Sequence, residues 1–182
     1  MLCMLPPGQF EEEKLRVLNI SSIPEIDADD YTLKIGGCVS NELEFSYGDL
    51  LEMRQVEAEV SAHCVEGWSV TGLEWEGVPA EEIISLSRPA EAKFVLLKCL
   101  DGYTTCVPLN YFQHGIFALR LNGQTIPPEH GYPVRAVIPD LYFWKSAKWV
   151  EEVEFLEEYV DGYWESRGYH SVGDAWLEQR RK

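Results

Sequence analysis

Short runs of alternating apolar and polar residues, each cut off by a turn signal, do most to restrict what this chain can fold into. Tyr31-Thr32-Leu33-Lys34-Ile35 alternates with the period of a strand and stops at Gly36-Gly37, which reads as a turn. Val56, Ala58, Val60 and Ala62 alternate with Glu57, Glu59, Ser61 and His63, which predicts a strand with one wet face running into Cys64. Phe94-Val95-Leu96-Leu97 reads as a buried strand, followed by a turn at Asp101-Gly102. Val134 to Ile138 and Trp149 to Leu156 also read as strands, the second with Trp149, Val153 and Phe155 on one face. Helical signals are fewer. Ser46 is placed to cap a short helix through Met53, and Pro79 opens another in the tolerated first-turn position. Asn110 to Leu119 is ambiguous, with helix the first expectation.

Strands with short helices between them, and no regular βαβ alternation, predict a mixed, strand-rich α+β fold. At 182 residues the chain fits one domain with a substantial core, expected over 14–182 behind a loose tail at 1–13.

The net charge is −16, so polyanions and anionic membrane faces are repelled and a nucleic-acid role is not expected. No apolar run reaches the roughly 18 residues of a membrane span. Met1 to Pro7 is uncharged and runs into Glu11-Glu12-Glu13, which is not the order of an export signal, so a cytoplasmic location is expected. The five cysteines show no Cys-x-x-Cys or zinc-like spacing, which argues against a disulfide framework and suits a reducing compartment.

Dinucleotide, P-loop, nucleophile-elbow and zinc-protease signatures are absent. Two features remain. Cys64 stands in His63-Cys64-Val65-Glu66-Gly67-Trp68-Ser69, at a strand end beside a glycine turn, where a thiolate suits a soft metal centre. Residues 131–148 hold three cations and one acid, Asp140, although 151–165 carry seven acids. Arg and Lys converging there, with His130, suit a phosphate. The alternative is that these cations offset the neighbouring acids in surface pairs.

In order along the chain, these pieces resemble the molybdopterin-binding domain of the sulfite oxidase family from about Asn19 to Arg180. The landmarks are Tyr31 to Gly37, the Cys64 motif, Trp75-Glu76-Gly77-Val78, Asp101-Gly102-Tyr103 and Leu121-Asn122-Gly123. They continue with His130 to Arg135, Lys145 to Trp149 and Trp164 to Tyr169. The stand-alone bacterial and archaeal members are nearest in character. The resemblance implies a molybdenum–molybdopterin cofactor with Cys64 as the metal ligand. It implies that His130, Arg135 and Lys148 hold the phosphate, with backbone contacts from Ser146 and Ala147. Asn19 stands near the pterin, His63 and Val65 flank the ligand, and Cys99 lies in a segment passing close to the metal. Tyr169 resembles the active-site tyrosine beside the metal, although a tyrosine packed with its hydroxyl satisfied is the plainer reading.

Two departures bear on substrate. Sulfite oxidases surround the metal with arginines, whereas this chain has Leu18 at one such place and Glu66-Gly67-Trp68-Ser69 after the ligand cysteine. The expected function is therefore oxygen-atom or two-electron transfer on a small substrate other than sulfite. No haem motif is present, so electrons are expected to pass through a separate partner. The competing expectation is a non-catalytic carrier or store of the cofactor, and a third is an apo scaffold.

Overall fold

A computed structural model describes residues 5–182. The first four residues of the expected tail, with Cys3, lie outside the described residues. Three sheets carry the fold. The first has the order β3 (Leu43–Ser46), β2 (Thr32–Gly37), β13 (Val150–Leu156), β8 (Phe94–Cys99), β9 (Thr104–Pro108), and only β2 and β13 run parallel. The second has β11 (Gln124–Thr125), β10 (Ile116–Leu121), β7 (Glu74–Pro79) and β4 (Val56–Glu59), with β12 (Arg135–Val137) also paired to β10. The third is small: β1 (Phe10–Glu11), β6 (Trp68–Val70) and β5 (Ala62–His63). Helices α1 (Tyr47–Glu52), α2 (Ala80–Ser87) and α3 (Leu109–Phe112) are all short. No described helix is long and apolar enough to cross a membrane.

Local chemistry explains several of these elements. Ser46 caps α1 in a reciprocal box: its hydroxyl accepts from the Asp49 N–H at 3.1 Å, and the Asp49 carboxylate accepts from the Ser46 N–H at 2.8 Å. The alternation in β8 buries Val95, Leu97 and Cys99, and β13 buries Val150, Val153 and Phe155. These join Leu33 and Ile35 with Val78, Phe117, Leu119 and Ala136 of the second sheet in one hydrophobic cluster. Each of the Val, Leu, Ile and Phe side chains contributes about 1.5–3 kcal/mol on leaving water. A second cluster joins the Cys64 region to the second sheet through Ala62, Trp68, Trp75, Ile116 and Val137.

Four expectations differ from what is found. Gly36-Gly37 is not a turn but the end of β2. A Cβ on Gly37 would meet the Phe155 carbonyl oxygen at 2.3 Å, so the glycine lets β2 approach β13. The expected strand from Val56 breaks in two, because β4 pairs with β7 whereas β5 pairs with β6 in another sheet. His63, expected on a wet face, is buried in consequence. Asn110 to Leu119 divides: α3 ends at Phe112 and Ile116 begins β10. Finally, the later part of the expected tail is docked, with β1 running parallel to β6.

Candidate active site

Cys64 lies where β5 turns back into β6. The turn is tight: the Cys64 N–H donates to the Trp68 carbonyl at 2.8 Å, and the Gly67 N–H donates to the Cys64 carbonyl at 3.0 Å. Gly67 takes φ +103°, a conformation that side chains disfavour. Segments from far along the chain clasp this turn. Gln9 Nε2 donates to the Cys64 carbonyl at 3.1 Å, and Arg180 Nη1 donates to that of Val65. The Cys64 side chain reaches a cavity of about 280 Å³. Burial pushes its thiol up from the ordinary value, with Arg16 and Arg180 opposing.

The other end of the cavity is cationic. β12 brings Arg135 beside the 146–148 segment, since the Ala136 N–H donates to the Ala147 carbonyl at 2.9 Å. Trp149 then adopts φ +54° and sits buried, while Lys148 faces the cavity. Arg135 is nearly inaccessible and donates to the carbonyls of His130 at 2.9 Å and Ser146 at 3.0 Å, leaving Nε without a partner. Its guanidinium lies 4.1 Å from the Phe143 ring centroid. Lys148 Nζ donates to the Leu18 and Glu129 carbonyls, each at 2.9 Å, and to the Asn19 side chain. All of these acceptors are neutral. Among the described residues, His130, Arg135 and Lys148 make no ion pair. Burial drives Arg135 down to about 9, and burial with the Arg135 charge drives Lys148 down to about 7.

Tyr169 closes a third side. Its ring stacks on Trp164 at 5.0 Å and 19° and meets Trp144 edge-on at 5.0 Å and 75°. Burial raises its phenol above the usual value. The cavity thus brings together Cys64, Val65 and Tyr169 with Asn19, His130 and Arg135, and with Ser146, Ala147 and Lys148. It does not bring in His63 or Cys99. The His63 Nδ1 lies 2.8 Å from the Ser69 hydroxyl, and its ring packs edge-on against Trp176. Cys99 is buried in the large core cluster. Arg16, Trp68 and Trp144 also line the cavity, although sequence reasoning gave none of them a site role. Arg16 had no signal beyond being one of two cations, with Lys14, after three glutamates; the two tryptophans stand inside motifs read for other residues.

The oxidoreductase molybdopterin-binding domain family matches residues 20–164. The chain belongs to that family. It is 37% identical over 180 residues to an uncharacterized oxidoreductase, YuiH of Bacillus subtilis, covering 97% of this chain and 91% of that protein. It is 32% identical over 156 residues to a putative protein-methionine-sulfoxide reductase subunit, YedZ1 of Azospira oryzae, covering 84% of this chain and 59% of that one. A third relative is the protein-methionine-sulfoxide reductase catalytic subunit MsrP of Campylobacter jejuni, 25% identical over 178 residues and covering 87% and 59%. The fold matches the sulfane dehydrogenase SoxCD of Paracoccus pantotrophus with a TM-score of 0.71 at 23% identity, over 76% of this chain and 41% of that one. The expected strand-rich mixed fold and membership of a molybdopterin-dependent oxidoreductase family are therefore both met.

The residues present suit the family's cofactor. A soft sulfur lines the same cavity as three cationic or protonatable groups, none of them in an ion pair although Asp101 also lines it, which suits a phosphate-bearing metal cofactor. Gly131 keeps that side open, because a Cβ there would crowd the Arg135 side chain at 3.1 Å and the Lys148 backbone at 3.3 Å.

This electrostatic arrangement predicts a pH dependence. An anion among these groups favours their charged forms, so it raises Lys148 from about 7 and binding takes up a proton. Sulfate stays a dianion throughout and should bind the cofactor-free protein more tightly as pH falls from 9 to 7, by up to about tenfold per unit. Below 7 Lys148 is already charged and only His130, lowered by burial and Arg135, adds further. Calorimetric titration reads this directly, and affinity that is flat or rises with pH would remove the anion-site assignment.

Proposed function

We propose that this chain is a molybdopterin enzyme that reduces a neutral, oxygen-bearing substrate of the sulfoxide type, with sulfite a poor substrate. The observation that carries the reading is the composition of the cavity around Cys64. Trp68, Trp144, Trp164 and Tyr169 line it with Val65 and Leu18; of the cations acting on Cys64, Arg16 is paired with Glu12 and Arg180 donates to the carbonyls of Val65, Pro7 and Gly8. Glu66 also lines the cavity. A small dianion gains little from such a surface, whereas an S–O or N–O group gains one donor and an apolar seat. The methionine-sulfoxide reductases among the relatives support the same class of substrate.

When bound, the cofactor supplies a metal centre able to take up or give two electrons. Cys64 would hold the metal through its sulfur, losing its proton as it does so. Arg135, His130 and Lys148 would grip the phosphate, with Ser146 and Ala147 offering backbone contacts, and Lys148 would keep Asn19 against the pterin. Tyr169, whose phenol stays protonated at neutral pH, would donate a hydrogen bond to the substrate oxygen. Arg16, whose guanidinium lies 5.4 Å from the Trp68 ring centroid, would help orient that oxygen. His63 acts on the ligand turn through Ser69 and Gln9, and Cys99 lies beneath the site as packing. Two electrons and two protons convert a sulfoxide to a thioether and water, and a separate electron-transfer protein delivers the electrons. Cys38, Cys64, Cys99 and Cys106 are unbridged, which suits a reducing cytoplasm.

Turnover by cofactor-loaded protein with dialkyl sulfoxides, N-oxides and sulfite tests the reading. The expected result is a kcat/KM for a neutral sulfoxide at least about tenfold above that for sulfite, with Arg16→Ala raising the sulfoxide KM by roughly three- to tenfold, as loss of one hydrogen bond of about 0.5–1.5 kcal/mol predicts for a guanidinium already paired with Glu12. Preference for sulfite would overturn the substrate class. Silence with every substrate would return the chain to the carrier alternative.

A further inference from the structure

Lys145 belongs to the basic island of 131–148, yet it takes no part in the cavity. Its ammonium is paired with Glu165, and both side chains are completely inaccessible. Lys145 Nζ also donates to the carbonyls of Cys106 at 2.5 Å and Ser171 at 2.7 Å, so all three protons are used. The Glu165 Oε1 further accepts from the Thr105 hydroxyl at 2.7 Å and from the Trp144 indole N–H at 3.3 Å. A buried ion pair is a weak source of stability, because desolvation of both charges offsets their attraction, and apolar replacement is often neutral.

Its neighbours suggest what it does instead. Trp144 precedes Lys145 and Trp164 precedes Glu165, and these two indoles hold the Tyr169 ring between them. On the other side of Lys145 follow Ser146, Ala147 and Lys148, the cationic wall of the cavity. The Tyr169 N–H also donates to the Trp164 carbonyl at 3.1 Å. The ion pair thus bridges the two segments that carry the indoles, alongside the Tyr142 ring stacked on Trp144 and the Arg181 guanidinium 5.1 Å from the Tyr169 centroid.

We propose that Lys145 and Glu165 are positioning residues: their ion pair sets the gap between Trp144 and Trp164 and so holds the Tyr169 hydroxyl in register with the cofactor-binding wall. The inference rests on Tyr169 acting at the Cys64 end of the cavity. A displacement of about 1 Å in an acting group can cost up to about a hundredfold in rate, which makes such a mount worth its desolvation.

The test uses Lys145→Met/Glu165→Gln, which removes both charges and leaves an amide oxygen for Thr105 and Trp144. Tyrosine labelled with ¹³C at Cζ reports the Tyr169 environment in cofactor-free protein, with the resonance assigned by its loss in Tyr169→Phe. The expected result is a folded protein whose melting temperature falls by several degrees for the Cys106 and Ser171 carbonyls that lose their donor, with near-wild-type pterin content, a displaced Tyr169 resonance, and kcat per pterin about tenfold lower at similar KM. Adding Tyr169→Phe to that variant should cost less than about twofold more, because both changes remove the same contact. An unmoved resonance with unchanged kcat would overturn the proposal and leave the pair as scaffolding. If the double variant does not fold, Glu165→Gln alone removes the ion pair while leaving an amide oxygen for Lys145, Thr105 and Trp144, touches no ring that contacts Tyr169, and must displace the same resonance; if it does not, the proposal fails. Tyr169→Phe alone turning over at the wild-type rate would remove the catalytic reading of Tyr169, whereas the resonance still decides whether the pair positions it.

Discussion

Cys64→Ser is expected to give a folded protein that still carries pterin but turns over at least about 100-fold more slowly. The estimate is a lower bound, since even groups that only support a metal ligand cost about 10–100-fold when changed. Serine matches cysteine in shape, and the side chain, although buried in the second core cluster, borders the cavity, so the melting temperature should fall by only a few degrees. The phosphate end is untouched, so pterin content measured by fluorescence should remain at half of wild type or more. What is lost is the soft, electron-rich sulfur, which a hydroxyl does not replace at neutral pH. A serine variant within about threefold of wild type would refute thiolate ligation.

The opposite pattern is expected at the other end of the cavity. Arg135→Gln/Lys148→Gln should purify nearly free of pterin. Two hydrogen bonds to a charged group, at about 1.5–3 kcal/mol each, correspond to a loss of roughly 10² to 10⁴ in cofactor affinity. The cofactor-free fold should lose little stability and could gain some. Burial already disfavours the charged forms of both side chains, Arg135 lying near 9 and Lys148 near 7. Glutamine keeps an N–H for the carbonyls that they now serve. Pterin content and scanning calorimetry on the same preparation separate the two effects, and unchanged pterin would cancel the assignment.

Much of the secondary structure could be read directly from the residues, and the exceptions share a cause. α1 was legible because Ser46 and Asp49 interact within four residues. β8 was legible because it presents a regular buried stripe to one core; β13 was legible from Val153 and Phe155, although an irregularity after Val150 leaves Trp149, expected on the same face, outside the strand with φ +54°. Gly36-Gly37, Val60-Ser61 and Phe10-Glu11 were not, because partners distant in sequence decide them: Phe155 for the glycine pair, Leu73 and β7 for the strand break, Trp68 and Ser69 for β1.

The site divides in the same way. Cys64 and the cations at 130–148 stood out because soft sulfur and unbalanced positive charge are chemically conspicuous. The basic island nevertheless held two different things. Arg135 and Lys148 turn into the cavity unpaired, while Lys145 is consumed in a buried pair, and composition could not separate them. Neither the phosphate cluster nor the surface-pair alternative anticipated that split. Arg16 was invisible for a related reason, since its position depends on how an irregular segment lies across the fold.

Gln9 and Arg180 grip adjacent carbonyls of the Cys64 turn, although more than 170 positions separate them in sequence. Arg180 also reaches the Pro7 and Gly8 carbonyls, so the two grips are stitched to each other. Protein extremities usually tolerate tags, trimming and fusion partners well. Here a change near residue 9 or residue 180 loosens the turn that seats the Cys64 side chain, so an affinity handle fused beside either grip is expected to disturb the cavity rather than serve as a neutral addition.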